Sequence, residues 1–160
     1  MPSTLRIAAL SAFTLVIGPR SVIITGHPSQ ASDACSLLTT AEVSAALGTT
    51  VEAGKRVIQS SPRVCGWAPP GGPQIDGKKL TLTLMTLQSF ETGKKPVEGI
   101  EKSPLNGVGD DAIYIVTKGF GAGLNVKKGN SAFQLRVGGF KPEQEKAIEK
   151  ALALQVLARM

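Results

Sequence analysis

The chain has 160 residues, a formal net charge of +6, 42% hydrophobic residues, two cysteines and one histidine. A single histidine excludes a polyhistidine metal centre. The lysines are spread in pairs (Lys78-Lys79, Lys94-Lys95, Lys127-Lys128), and with few aromatics and no binding motif they set nucleic acid aside as a partner.

Residues 1–31 read as a signal peptide. Arg6 supplies the positive start, Ile7 to Gly18 the apolar stretch, and Ser29-Gln30-Ala31 small residues where a signal peptidase cuts. Pro19-Arg20 interrupt the apolar run before Val22 to Thr25 resume it, so no stretch of about 18 uncharged apolar residues remains to span a membrane. Removing Arg6 and Arg20 with the leader takes two from the +6 and leaves +4 on residues 32–160, which have the usual size of one domain.

Cys35 and Cys65 permit one intramolecular bridge, and in an exported chain a disulfide is the default reading. Their spacing lacks the C-x-x-C pattern of a redox pair. Trp67, two residues after Cys65, reads as core over the bridge, with ligand stacking as the alternative.

A first helix is expected from Thr39 to Gly48. Thr39 and Glu42 form a capping box, Leu38 and Val43 fit the hydrophobic staple, and Gly48 suits the left-handed residue that ends a helix. Val51 to Gln59 reads as a strand, as does Arg63 to Trp67, and Ala68 to Lys78 as a Pro/Gly loop. Leu80 to Leu87 alternates as a strand, with a bulge or strand end near Met85. Ser89 to Pro104 is polar and punctuated by Gly93, Pro96 and Gly99, which predicts loop with at most one helical turn around Phe90. Leu105 to Phe140 predicts a three-stranded antiparallel meander with one wet face, since Phe133, Leu135 and Val137 alternate with Gln134 and Arg136. A C-terminal helix starts at Pro142, and Ile148, Ala151, Leu152 and Val156 recur at helical spacing. The fold class is α+β: an antiparallel sheet of about five to six strands packed against a short N-terminal helix and a C-terminal helix.

The available chemistry is narrow. His27 lies in the leader, so cleavage would leave no histidine, and bridged cysteines would leave no thiol. Ser-His-Asp and Cys-His catalysis and His-ligated zinc go with them. Asp110 and Asp111 are the one acidic pair. As strand neighbours they point to opposite faces and suit an acid/base couple poorly. Turn chemistry suits Asp110 better. No metal or cofactor is implied. Gly119 to Gly123 imitates a phosphate loop without its Lys-Ser/Thr and reads as a hairpin turn. Tyr114 and Phe120 read by default as core packing, with the edge of a small cleft as the alternative. Trp67, Tyr114, Phe120, Asp110 and Asp111 are therefore the candidate ligand-binding residues.

The set Asp33-Ala34-Cys35-Ser36-Leu37-Leu38-Thr39, Cys65-Gly66-Trp67, Gly107-Val108-Gly109-Asp110-Asp111-Ala112 and Leu124 to Asn130 resembles a family of small exported bacterial proteins, often lipoproteins and mostly of unknown function. The resemblance implies an antiparallel sheet flanked by helices, bridged cysteines and no catalytic residues. Ser32-Asp33-Ala34 before Cys35 is not a lipobox, a departure that argues against a lipid anchor. The expectation is a periplasmic or secreted non-catalytic domain that binds a small ligand or an envelope protein. The alternatives are a structural cell-envelope protein, or an enzyme using Asp110 and Asp111.

Overall fold

The computed structural model describes residues 33–71 and 77–160. The expected signal peptide with His27 lies outside the described residues, as does the middle of the Pro/Gly loop. A 3-10 turn (Ala34–Ser36) leads to α1 (Thr40–Leu47). There follow β1 (Lys55–Arg56), β2 (Val64–Trp67), β3 (Lys79–Met85), α2 (Leu87–Lys94), β4 (Ile100–Pro104), β5 (Asp111–Thr117), β6 (Gly121–Lys128), β7 (Ser131–Gly138) and α3 (Pro142–Leu157). Among the described residues the strands form one antiparallel sheet in the order β1-β2-β3-β7-β6-β5-β4. The α+β class stands, with seven strands in place of five to six.

Helix α1 begins where the capping residues place it. Thr39 Oγ1 accepts from the Glu42 amide at 3.2 Å, and Glu42 Oε2 accepts from the Thr39 amide at 2.8 Å. Gly48 closes the helix at φ 59°. Leu38 and Val43 are both buried, as the staple requires. The far end of the chain then clamps this start: the Arg159 guanidinium donates to the Leu37 carbonyl at 2.9 Å and to Glu42 Oε1 at 2.7 Å. Arg159, with the Thr39 amide and hydroxyl, holds the Glu42 carboxyl down to about 2.

Alternation along the strands divides the sheet into two unlike faces. Leu80, Leu82, Leu124, Val126, Leu135 and Val137 point toward α1 and α3 and join Leu47, Leu152 and Val156 in the main core. Cys65 and Trp67 belong to the same core, and Cys35 is bonded to Cys65 with their Cα atoms 5.1 Å apart. The other face carries a smaller cluster, in which Phe90 of α2 covers Ile113 and Ala132.

Three segments differ from expectation. Of the 51–59 stretch only Lys55 and Arg56 form a strand beside β2; the Val57 amide adds one bond to the Val64 carbonyl at 3.0 Å, and the Val57 and Ile58 side chains are exposed. Within 89–104, expected as loop, α2 is a full helix: Thr86 accepts from the Ser89 amide at 3.0 Å and caps it. It buries one side chain, Phe90, and so carries almost no apolar periodicity. The same stretch holds β4, a mostly polar edge strand that extends the meander to four strands.

The turn into β5 is fixed by Gly109 at φ 62°, where a Cβ would lie 2.5 Å from the Lys127 carbonyl oxygen. The next residue ties the turn to the β6–β7 hairpin. The Asp110 amide donates to Lys127 O at 2.9 Å, and Asp110 Oδ2 accepts from the Gly129 amide at 2.7 Å. Gly109→Ala is expected to destabilise the protein by about 2 kcal/mol or more, through strain and the backbone clash, read from the urea midpoint at unchanged m. Reducing Cys35–Cys65 is expected to lower stability by about 3–4 kcal/mol, as a chain-entropy loss, seen as an earlier urea transition in dithiothreitol.

Candidate functional site

Helices α1 and α3 cover the core face of the sheet completely enough to bury its side chains. Among the described residues the opposite face is covered only at the α2 end. The remainder is a polar surface set by strand parity: Thr81 and Thr83 from β3 beside Arg136 and Gln134 from β7. Gln134 Nε2 donates to Oδ1 of the buried Asn125 at 2.8 Å, which locks the amide plane. Phe120, in the turn before β6, stands over one end and is 80% exposed.

This surface is concave. A cleft of about 420 Å³ lies between Lys79, Thr81, Thr83, Gln134 and Arg136 on one side and Phe120 to Ala122 on the other, reaching Glu145 of α3. A groove of about 300 Å³ adjoins it through Lys79 and Thr81 and runs toward Val57. A third, of about 610 Å³, adjoins through Gln134 and runs under α2 along Ile100 and Ile115. The volumes lie in the range of small-molecule sites.

The cleft deepens where two strands part. β6 pairs with β7 from Lys128–Ser131 to Leu124–Leu135 and then stops. Both strands continue, β6 against β5 to Gly121 and β7 against β3 to Gly138. Beyond the last pair the Val137 amide donates to Glu149 Oε1 of α3 at 2.8 Å. Arg136 Nε donates to the Ala122 carbonyl at 3.3 Å, and an Arg136 terminal nitrogen donates to the Phe120 carbonyl at 2.8 Å. The Arg136 side chain lies flat across Gly123, where a Cβ would be 2.9 Å from its Cγ.

Glu149 is fully buried, and among the described residues its Oε2 has no hydrogen-bond partner. Burial pushes its carboxyl up to about 8; the Val137 amide and Arg136 pull down against this, and Glu145 adds to it. Glu145, one turn earlier, is also buried, and its Oε1 accepts from the Phe140 amide at 3.4 Å.

The candidate residues are dispersed. Phe120 lines the cleft. Trp67 is buried beside Cys65, where it also lines the adjoining groove, and Gly54 lies so close that a Cβ there would be 2.7 Å from the indole. Tyr114 is buried on the core side as well. Its hydroxyl donates to the Pro142 carbonyl at 3.2 Å, and burial, with the charges of Glu149 and Glu145, raises it to about 12. Asp110 is committed to the Gly129 amide, and Asp111 pairs with Lys94 at 2.5 Å at the α2 end. Cleft and acidic pair are therefore separate places.

Arg136, Glu145 and Glu149 were not among the candidates. Arg136 reads as an ordinary polar position on a wet face. Glu145 and Glu149 did leave a signal: with Leu152 and Val156 they complete the inward stripe of α3, where a carboxylate is out of place. Among the described residues no group of three or more His, Cys, Asp or Glu could hold a metal ion, and no helix is long and apolar enough to cross a membrane. No protein-family model, curated protein or solved structure matches this chain.

Glu149 gives stability a pH dependence of defined sign. Its folded value of about 8 lies above the ordinary 4.5, so between these values the unfolded chain has lost a proton that the folded one keeps. Stability therefore falls as pH rises through that window, by at most about 1.4 kcal/mol per unit, and levels off above it. Glu149→Gln is expected to flatten this slope and to be more stable than wild type at pH 8.5, as checked by urea unfolding from pH 4.5 to 9.

Proposed function

We propose that this chain is an exported, periplasmic or secreted, non-catalytic α+β domain that binds a small ligand or protein partner on the open face of its sheet. The observation that carries the proposal is the concave polar surface formed by Thr81, Thr83, Gln134 and Arg136 under an exposed Phe120. Hydroxyl, amide and guanidinium groups converging beside an exposed aromatic ring suit a polar ligand with one apolar face. Support for export comes from the signal-like leader and the Cys35–Cys65 bridge, a bond that persists in oxidising compartments. Support for a non-catalytic role comes from the acidic pair. Asp110 is bound to a backbone amide and Asp111 to Lys94, and neither lines the cleft.

The test is an NMR titration of the ¹⁵N-labelled protein with a panel of monosaccharides, free amino acids and short unstructured peptides. At least one class is expected to shift the amides of Thr81, Thr83, Gln134 and Arg136. Phe120→Ala is expected to weaken that binding by about tenfold, the loss of one aromatic contact, with the thermal midpoint unchanged. Shifts confined to other surfaces, or chemical conversion of a probe, would overturn the reading.

A further inference from the structure

The split between β6 and β7 has an unusual cause. The register that places Leu124 opposite Leu135 would place Ala122 opposite Val137, and the Ala122 carbonyl and the Val137 amide both face the gap. Neither bonds to the other. A carboxyl from α3 has taken the amide, and a guanidinium from the open face has taken the carbonyl. Two side chains of opposite character, arriving from opposite sides of the sheet, divide between them one of the two ladder bonds that an Ala122–Val137 pair would exchange.

We propose that Glu149 and Arg136 form a two-sided latch that holds β6 and β7 apart, and that the cleft at this end of the sheet exists because of them. An edge with unmet amides and carbonyls closes on its neighbour unless something else satisfies those groups. Glu149 and Arg136 satisfy one each. Gly123 permits the Arg136 stem to lie across the strand, and the exposed Phe120 is held out by the bond from Arg136 to its carbonyl.

The latch is responsive because its inner half titrates. The charged and titratable groups around Glu149 are Glu145 on its own helix, Arg136 on β7 and Tyr114 on β5. Protonated, Glu149 accepts from Val137 as a neutral carboxyl. Ionised, it places a charge on an Oε2 that has no donor. Relief comes when the carboxylate leaves the core, and Val137 and Ala122 are then free to pair. Acid keeps the cleft open, and alkali favours closure. For the link to ligand entry this rests on the proposed binding function; the closure itself does not.

The decisive measurement is the scalar coupling across a hydrogen bond from Val137 N to the Ala122 carbonyl carbon in ¹³C,¹⁵N-labelled protein. Wild type at pH 6 is expected to show none. Glu149→Leu/Arg136→Met removes both halves of the latch and is expected to show the coupling, with loss of any probe-induced shifts at Thr81 and Thr83. A folded double variant without the coupling overturns the proposal. Should that variant fail to fold, the Val137 amide proton decides: in wild type its shift is expected to follow the titration of Glu149 Cδ, and in Glu149→Gln to be flat. A Val137 amide indifferent to that titration in wild type overturns the latch. Coupling in the double variant with no probe bound by wild type leaves the latch standing and removes the binding function instead.

Discussion

The pairing of β3 with β7 holds this fold together. Seven residues of β3, Lys79 to Met85, lie opposite Gly138 to Ala132 across about fifty residues of sequence. Leu80, Leu82 and Leu84 meet Val137, Leu135 and Phe133 along that seam. Each buried aliphatic or aromatic side chain contributes about 1.5–3 kcal/mol on transfer from water. The seam joins two parts of the chain. On one side are the disulfide, α1 and β1–β2; on the other, a meander with its closing helix. Packing of α1 against α3 within the same core, and the bonds from Arg159 to Leu37 and Glu42, tie those parts as well, but a partly exposed ion pair adds little beside the apolar contacts.

A strong seam leaves freedom next to it. β7 is secured to β3 along its whole length, so its other edge need not be fully used, and pairing with β6 lapses after Leu135. β6 is likewise secured to β5 to its end. Two strands anchored on their outer sides can part on their inner sides at the cost of one or two ladder bonds. The same parity that sends Leu135 and Val137 into the core puts Gln134 and Arg136 on the open face.

Much of this was legible before any coordinates. Thr39, Glu42 and Gly48 specify α1 through local hydrogen bonding, and the alternation of Leu80 to Leu84 and of Phe133 to Val137 specifies the faces of the two central strands. Elements stabilised by non-local contact were harder to read. α2 buries Phe90 alone and tolerates Gly93 in its last turn; it is a helix because Thr86 caps it and Ile113 and Ala132 receive its one large side chain. β4 is polar at an edge and takes its conformation from β5. Of the residues around the cleft, Phe120 is one whose sequence position suits core packing by default and a cleft edge only as the alternative, whereas the roles of Arg136 and Glu149 depend on where two distant strands separate. That separation is a property of packing and leaves no trace in local pattern.

Glu149 lies in the apolar stripe of α3 with one oxygen unmet, so it lowers stability where leucine would raise it. A buried carboxyl without full hydrogen bonding costs on the order of 1–3 kcal/mol. The simplest remedy, an apolar residue at 149 and a closed β6–β7 ladder, would satisfy Val137 and Ala122 by ordinary sheet pairing. The chain instead employs a buried carboxyl, a guanidinium and a glycine at 123 to keep this end of the ladder from closing. Local choices that oppose stability without a structural return are the mark of a functional constraint. Here Glu149, Arg136 and Gly123 coincide where the cleft beside Phe120 meets the parting of β6 and β7. That coincidence, more than the volume of the cleft, is what supports the proposal of a binding surface at this end of the sheet.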